Sequence, residues 1–215
     1  MRTLLNRTAY FGLGILLALF LVASETKAQC PTDIPIPHAD SGNTTTGWTN
    51  VTTPFVDFIQ GTDCLIDIFY CERTITDRYG NFIEQQYFVY KVMFDPSNDP
   101  GACDGIDNAT LIKDGINGIF QKFGAPPCNS YSKEVSVFRR SCWKMELINV
   151  GFFQIPALFG CDASPECGKT CLVCYDGYAN QPRYCTYTLY GTTSDCTALT
   201  GIWSLNTCYY IPCGD

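Results

Sequence analysis

The sequence predicts an α+β fold: an antiparallel β-sheet with one covering helix, followed by a disulfide-rich β/loop module. Three observations predict it. Two runs rich in β-branched and aromatic residues, 64–76 and 82–94, flank the turn Asp77-Arg-Tyr-Gly-Asn81. One stretch, from Asn108 to about Phe123, carries apolar residues at helical spacing. Eight of the fourteen cysteines then crowd into residues 161–213, a span too short to bury an independent core without cross-links or metal.

The N-terminus decides between those two. Arg2 and Arg7 precede a nearly unbroken apolar run over residues 9–23, and Ser-Glu-Thr-Lys-Ala follows. That succession predicts a secretory signal over residues 1–28, with Thr26 and Ala28 at the −3 and −1 positions and cleavage before Gln29. The apolar run of about 15 residues falls short of the roughly 20 that span a bilayer, so no stable membrane insertion is expected after cleavage. A lipobox is not matched at Cys30, because Gln29 and Lys27 stand where a small and an aliphatic residue belong. The mature chain is therefore expected in the periplasm or outside the cell, an oxidising setting in which fourteen cysteines read as disulfides. Six of them (Cys30, Cys64, Cys71, Cys103, Cys128, Cys142) precede residue 150 and eight (Cys161, Cys167, Cys171, Cys174, Cys185, Cys196, Cys208, Cys213) follow, so each half can close on itself.

The chain holds 14 basic and 21 acidic residues, a formal charge of −7; losing Arg2, Arg7, Lys27 and Glu25 with the signal leaves 11 and 20, or −9. Such a surface repels phosphate backbones and anionic lipid, which argues against nucleic acid and membrane partners. Protein or glycan ligands remain open.

Residues 29–47, with Pro31, Pro35 and Pro37 and then a Ser/Gly/Asn/Thr stretch, form an extended lead-in. A sheet-and-helix domain is expected over 48–150 and the Cys-rich module over 151–215. Within the hairpin, the second run is apolar on both parities near its end, which predicts a sheet covered on both faces there. Cys64 and Cys71 are an odd number of residues apart, so they point to opposite faces and do not pair. Asn108 is the expected cap of the helix, whose apolar face is Ile112, Ile116, Ile119, Phe120 and Phe123. Gly115 and Gly118 weaken it by up to about 1 kcal/mol each relative to Ala, so it needs the sheet beneath it. Residues 135–138 and 143–150 read as further strands, 183–190 as another, and 202–211 as a last one around Leu205.

The steps Tyr70-Cys-Glu-Arg73 and Ser141-Cys-Trp-Lys144, with the Cys-rich tail after them, resemble a group of uncharacterised secreted Cys-rich proteins of Bacteroidota-type bacteria over residues 64–175. The resemblance implies no fold, activity or site.

Several constellations bear on chemistry. Cys167-x3-Cys171-x2-Cys174 has the spacing that holds an iron–sulfur cluster in radical enzymes, but 41 residues after it cannot supply the barrel those enzymes need. Cys171-x2-Cys174 with Cys208 and Cys213 has zinc-knuckle spacing, against which oxidation competes in an exported chain. No cofactor is expected. His38, the single histidine, lies in the lead-in, where a catalytic base has little rigid support. Asp95, Asp99, Asp104 and Asp107 could offer oxygens to calcium, yet their spacing is not that of an EF-hand, and an Asp/Asn-rich turn is the simpler reading. Asp57, Asp67, Glu72 and Glu84 are candidate paired carboxylates. Tyr175, Tyr178, Tyr184, Tyr187 and Trp203 are the candidate binding surface, since an exposed aromatic ring suits sugar stacking or protein contact.

The reading is a secreted, disulfide-stabilised, non-catalytic protein with a binding or structural role at the cell surface or in the extracellular space. The competing class is a secreted carboxylate-dependent hydrolase acting on glycans. A deep cleft with two or more acidic side chains would mark the hydrolase, and a flat aromatic patch the binder.

Overall fold

The computed structural model describes residues 30–32, 34, 41–99, 101–161, 166–190, 196–198 and 203–214. The signal region and His38 lie outside them. The spine is the expected hairpin, β4 (Leu65–Thr76) against β5 (Phe82–Phe94), in antiparallel register through Cys71↔Phe88. Its turn is held by Asp77, whose Oδ1 accepts from the Tyr79 and Asn81 amides at 2.8 Å, while Gly80 takes φ +83°. Three short strands, β1 (Thr44–Thr45), β2 (Thr49–Asn50) and β3 (Phe55–Phe58), pair with the free edge of β4.

The helix α1 runs Asn108–Lys122, one position off its expected cap: Asp107 is the N-cap, its Oδ1 accepting from the Ala109 and Thr110 amides at 2.9 Å. Gly115 and Gly118 do more than weaken it. A Cβ on Gly115 would meet Val92 Cγ2 at 2.9 Å, and one on Gly118 would meet Ile68 Cδ1 at 3.2 Å, so the glycines let the helix lie close on the sheet.

The expected architecture of an antiparallel α+β sheet is corrected here. The described chain is mostly strand, eleven strands and one helix, and the sheet is mixed. β6 (Lys133–Arg140) returns beside β5 in parallel, Glu84↔Glu134 through Val89↔Arg139. The reason is the helix itself. A strand that feeds a crossover helix packed on one face re-enters the sheet at the same end, so β5–α1–β6 is a βαβ unit rather than a hairpin with a separate cover.

Beyond β6 the sheet forks. After Ser141 the chain continues as β7 (Cys142–Val150), which turns back through Gly151 (φ +60°) into β8 (Phe153–Gly160). β8 pairs with β5 over Lys91–Met93, on the edge that β6 occupies over Glu84–Val89. On the other branch β9 (Glu166–Tyr175) pairs antiparallel with β6 over eight residues, and β10 (Asn180–Tyr190) flanks β9. The last strand, β11, is only Tyr209–Tyr210, set against Trp143 and Cys142. The expected strand over 202–211 is otherwise a turn where it is described, with Asn206 at φ 60°.

Alternation sorts the side chains onto two faces. Ile66, Ile68 and Tyr70, Val89 and Val92, Val135 and Val137, and Cys171 and Val173 face α1, where they meet Ile112, Ile116, Ile119 and Phe120. Cys71, Phe88 and Phe138 face away, and the lead-in covers them through Ile34 and the Cys30–Cys71 disulfide. Cys64 lies in the first cluster and pairs with Cys103, so it and Cys71 do point to opposite faces. Both faces near the centre of the hairpin are covered, as the double apolar parity of the second run demands.

Candidate functional site

Seven disulfides take up the cysteines, and none is free. Cys167, Cys171 and Cys174 go to three different partners, Cys213, Cys185 and Cys128, so they are not a ligand set. Two bridges, Cys128–Cys174 and Cys142–Cys196, join residues on either side of position 150, as does the β6–β9 ladder.

One of the bridges shapes a cavity. After β11 the chain crosses the helix side of the sheet as the tail Ile211–Pro212–Cys213–Gly214. The Ile211 amide donates to the Ser141 carbonyl at 2.8 Å, and Cys213 is bonded to Cys167 of β9. Arg139 straps the tail from below: its guanidinium donates to the carbonyls of Ile211, at 3.3 and 3.4 Å, and Pro212, and also to that of Arg140 at 3.0 Å. Between tail, strands and the first turns of α1 lies a cavity of about 320 Å³.

Its lining follows from the periodicities. On α1, Ile112 and Ile116 supply an apolar floor, and Lys113 and Asn117, one position further round, stand at its side. β6 contributes Val137 and Arg139, which share a parity. Lys169 rises from β9 and Tyr187, half exposed, from its cross-strand partner position on β10. Lys169 Nζ donates to Asn117 Oδ1 at 2.7 Å and ties sheet to helix. Arg139 is 8% exposed, and burial pulls its guanidinium down to about 10, still charged at neutral pH. Asp107 is the carboxylate of the lining. It is committed to the helix end, since besides the two amides its Oδ2 accepts from Thr110 Oγ1 at 2.9 Å; these bonds hold its pKa below the usual carboxylate range.

The sequence-derived candidates are dispersed. Tyr175, Tyr178 and Tyr184 are exposed around the β9–β10 end, where Tyr175 donates its hydroxyl to the Gly177 carbonyl at 2.9 Å. Tyr184 sits at a bulge with φ 52°. Tyr187 turns toward the cavity. Trp203 packs against Tyr209 beside β7, at the other margin of the sheet, with ring centroids 5.0 Å apart. The five rings do not form one patch.

The carboxylates divide between the faces. Asp57 and Glu72 are on the helix side, Glu72 paired with Lys122 at 3.0 Å. Asp67 and Glu84 are on the other, and burial raises both; Asp67, hydrogen-bonded to Asp95, is pushed up to about 6. Of the proposed calcium ligands, Asp95 is engaged by Ser97 and Asp107 by the helix end, while Asp99 and Asp104 lie in the loop between. Among the described residues, no three His, Cys, Asp or Glu side chains gather as a metal site.

Lys113, Asn117, Arg139 and Lys169 were not singled out from the sequence. A signal for Arg139 was available: it shares the parity of Val135 and Val137, so a charge was bound for the buried face. Among the described residues, no helix is long and apolar enough to cross a membrane. No protein-family model matches the chain, and no curated protein or solved structure shows a significant similarity to it.

Proposed function

We propose that this is an exported, non-catalytic binding protein, released from a signal over residues 1–28 and acting at the cell surface or in the extracellular space, with the cavity beneath the C-terminal tail as its binding site. The disulfide density supports an oxidising compartment. The observation that carries the binding role is the cavity's construction. Its walls are a helix, three sheet strands and a cross-linked tail, so its shape is set before any ligand arrives. Its floor is aliphatic, its charged groups are cations apart from Asp107, and that carboxylate is spent on the helix cap, which leaves the described lining without an acid–base pair for hydrolysis.

The test is a fragment screen by NMR on the mature protein, residues 29–215. Hits that shift the signals of Ile116, Val137, Tyr187 and Ile211 support the reading. Hits confined to Tyr178 and Tyr184, or turnover of chromogenic glycosides by the purified protein, would replace it.

A further inference from the structure

We infer that the cavity takes a small organic carboxylate with an apolar body; this rests on the cavity being the binding site. The observation is one of charge placement. The mature chain carries 20 acidic and 11 basic residues, and three of those eleven cations, Lys113, Arg139 and Lys169, line this one cavity against a single carboxylate. Three cations elsewhere, Lys122, Arg140 and Lys144, are held in ion pairs of 3.0, 2.9 and 2.6 Å. The three at the cavity have no ion pair among the described residues: Arg139 bonds to backbone carbonyls, and the Lys169 ammonium to the neutral amide of Asn117. Asp107, the acid of the lining, is turned to the helix amides, and Asp114 adjoins Lys113 in the chain.

Holding like charges together at a partly dry site costs free energy that an incoming anion returns, and the low dielectric of the walls strengthens that attraction. The roles differ. Arg139 spends its terminal nitrogens on the tail and contributes charge. Lys113, exposed at the rim, and Lys169, half buried, have ammonium hydrogens to give. The helix amides at this end are taken by Asp107, so side chains rather than the helix terminus would hold the anion.

The body of the ligand is indicated by the rest of the lining. Ile112, Ile116, Val137 and Ile211 present aliphatic surface, and Tyr187 offers a ring. Inorganic phosphate would leave that surface wet, and a polyanion would meet the repulsion of the chain's net charge beyond the rim. A flat or short aliphatic carboxylate satisfies both ends.

The experiment titrates the mature protein with benzoate and hexanoate, with benzamide and hexanamide as uncharged isosteres, and with inorganic phosphate. Binding is followed at Ile116 and Tyr187 by NMR. Carboxylates are expected to bind about tenfold tighter than their amides and to weaken as salt screens the charges. Lys169→Met and Lys113→Met should each cost the carboxylate about three- to tenfold and the amide less; Lys113 is exposed and Met is a good helix former, so that variant keeps the fold. Equal affinity for acid and amide, insensitivity to both lysine substitutions, or phosphate binding as tightly as benzoate would each overturn the inference. Amides binding at the cavity without a carboxylate preference would leave the binding role standing and remove only the charge assignment. Neither acid nor amide reaching the cavity would overturn both.

Discussion

Gly115 of α1 rests on Val92 of β5 with no room for a methyl group: an added Cβ would lie 2.9 and 3.0 Å from the two Val92 methyls. The spacing explains how a helix with two internal glycines is held, because what it loses in propensity it regains by close approach to the sheet.

Gly115→Ala therefore sets helix propensity against packing. Propensity favours alanine by up to about 1 kcal/mol. The clash falls on a β-branched side chain whose χ1 is restricted, and relieving it lifts the helix, which costs about 1–3 kcal/mol. Net destabilisation is expected, read as a lower urea midpoint at unchanged slope. Gly124, where an added Cβ meets nothing within 4 Å, is the control: Gly124→Ala should be neutral or stabilising by up to about 1 kcal/mol. Equal effects at the two positions would remove the packing argument.

The hairpin and the helix were legible because their periods are local. Period two over 64–76 and 82–94 and period 3.6 from Ile112 to Phe123 need no knowledge of partners. What was not legible depends on partners. The parallel return of β6 is decided by where α1 packs. β8 carries Pro156 and Gly160, which blunt a strand signal, although Pro156 sits opposite Leu147 in the ladder. β9 hides its alternation in cysteines: Cys167, Lys169, Cys171 and Val173 share one face, with Gly168, Thr170 and Leu172 on the other. The cavity is less legible still, since Arg139 meets the carbonyls of Ile211 and Pro212 more than seventy residues away.

Asn180 shows the same non-locality with a measurable consequence. Its side-chain amide, 6% exposed, donates to the carbonyls of Phe120 at 2.8 Å, Gln121 at 3.3 Å and Phe123 at 2.5 Å, closing the end of α1 from the start of β10. Asn180→Ala should cost about 2 kcal/mol, because buried helix-end carbonyls lose their donor. Gln121→Ala, which removes two part-buried bonds to the Asn180 backbone, should cost less. Chemical denaturation of the two variants ranks them, and the reverse order would place the closure in Gln121.

Reduction should release the chain in a defined order. The tail 203–214 depends on Cys161–Cys208 and Cys167–Cys213 and has only the two-residue β11 for a ladder. β9 is paired on both edges, with β6 and β10. Hydrogen exchange under reductant is expected to lose protection at Tyr209–Ile211 first, with Val135–Phe138 and Thr170–Val173 persisting. Simultaneous loss would mean that the bridges, rather than the ladder, hold β9.

Asp67 gives the protein a pH dependence of known sign. Burial first, then the charge of Asp95, push its carboxyl from 3.8 up to about 6, against a smaller opposing effect of Lys91. Asp95 itself is held low by Ser97, whose hydroxyl and amide donate to Oδ1 at 2.5 and 2.6 Å, so it stays the acceptor and Asp67 keeps the proton. Between about pH 4 and 6 the folded protein retains a proton that the unfolded chain has released. Stability from this pair is therefore complete below about pH 4 and is lost as pH rises through 6. Asp67→Asn keeps an N–H donor toward Asp95 at every pH. Relative to wild type it should be near neutral at pH 4 and more stable by on the order of 1 kcal/mol at pH 7.5, where the two wild-type carboxylates repel. Burial also raises Asp57 and Glu84, so both proteins should lose stability over this range. The difference between them isolates Asp67: urea midpoints measured from pH 4 to 8 should diverge between about pH 4 and 6 and run parallel above that, and curves parallel throughout would show that Asp67 does not hold the proton.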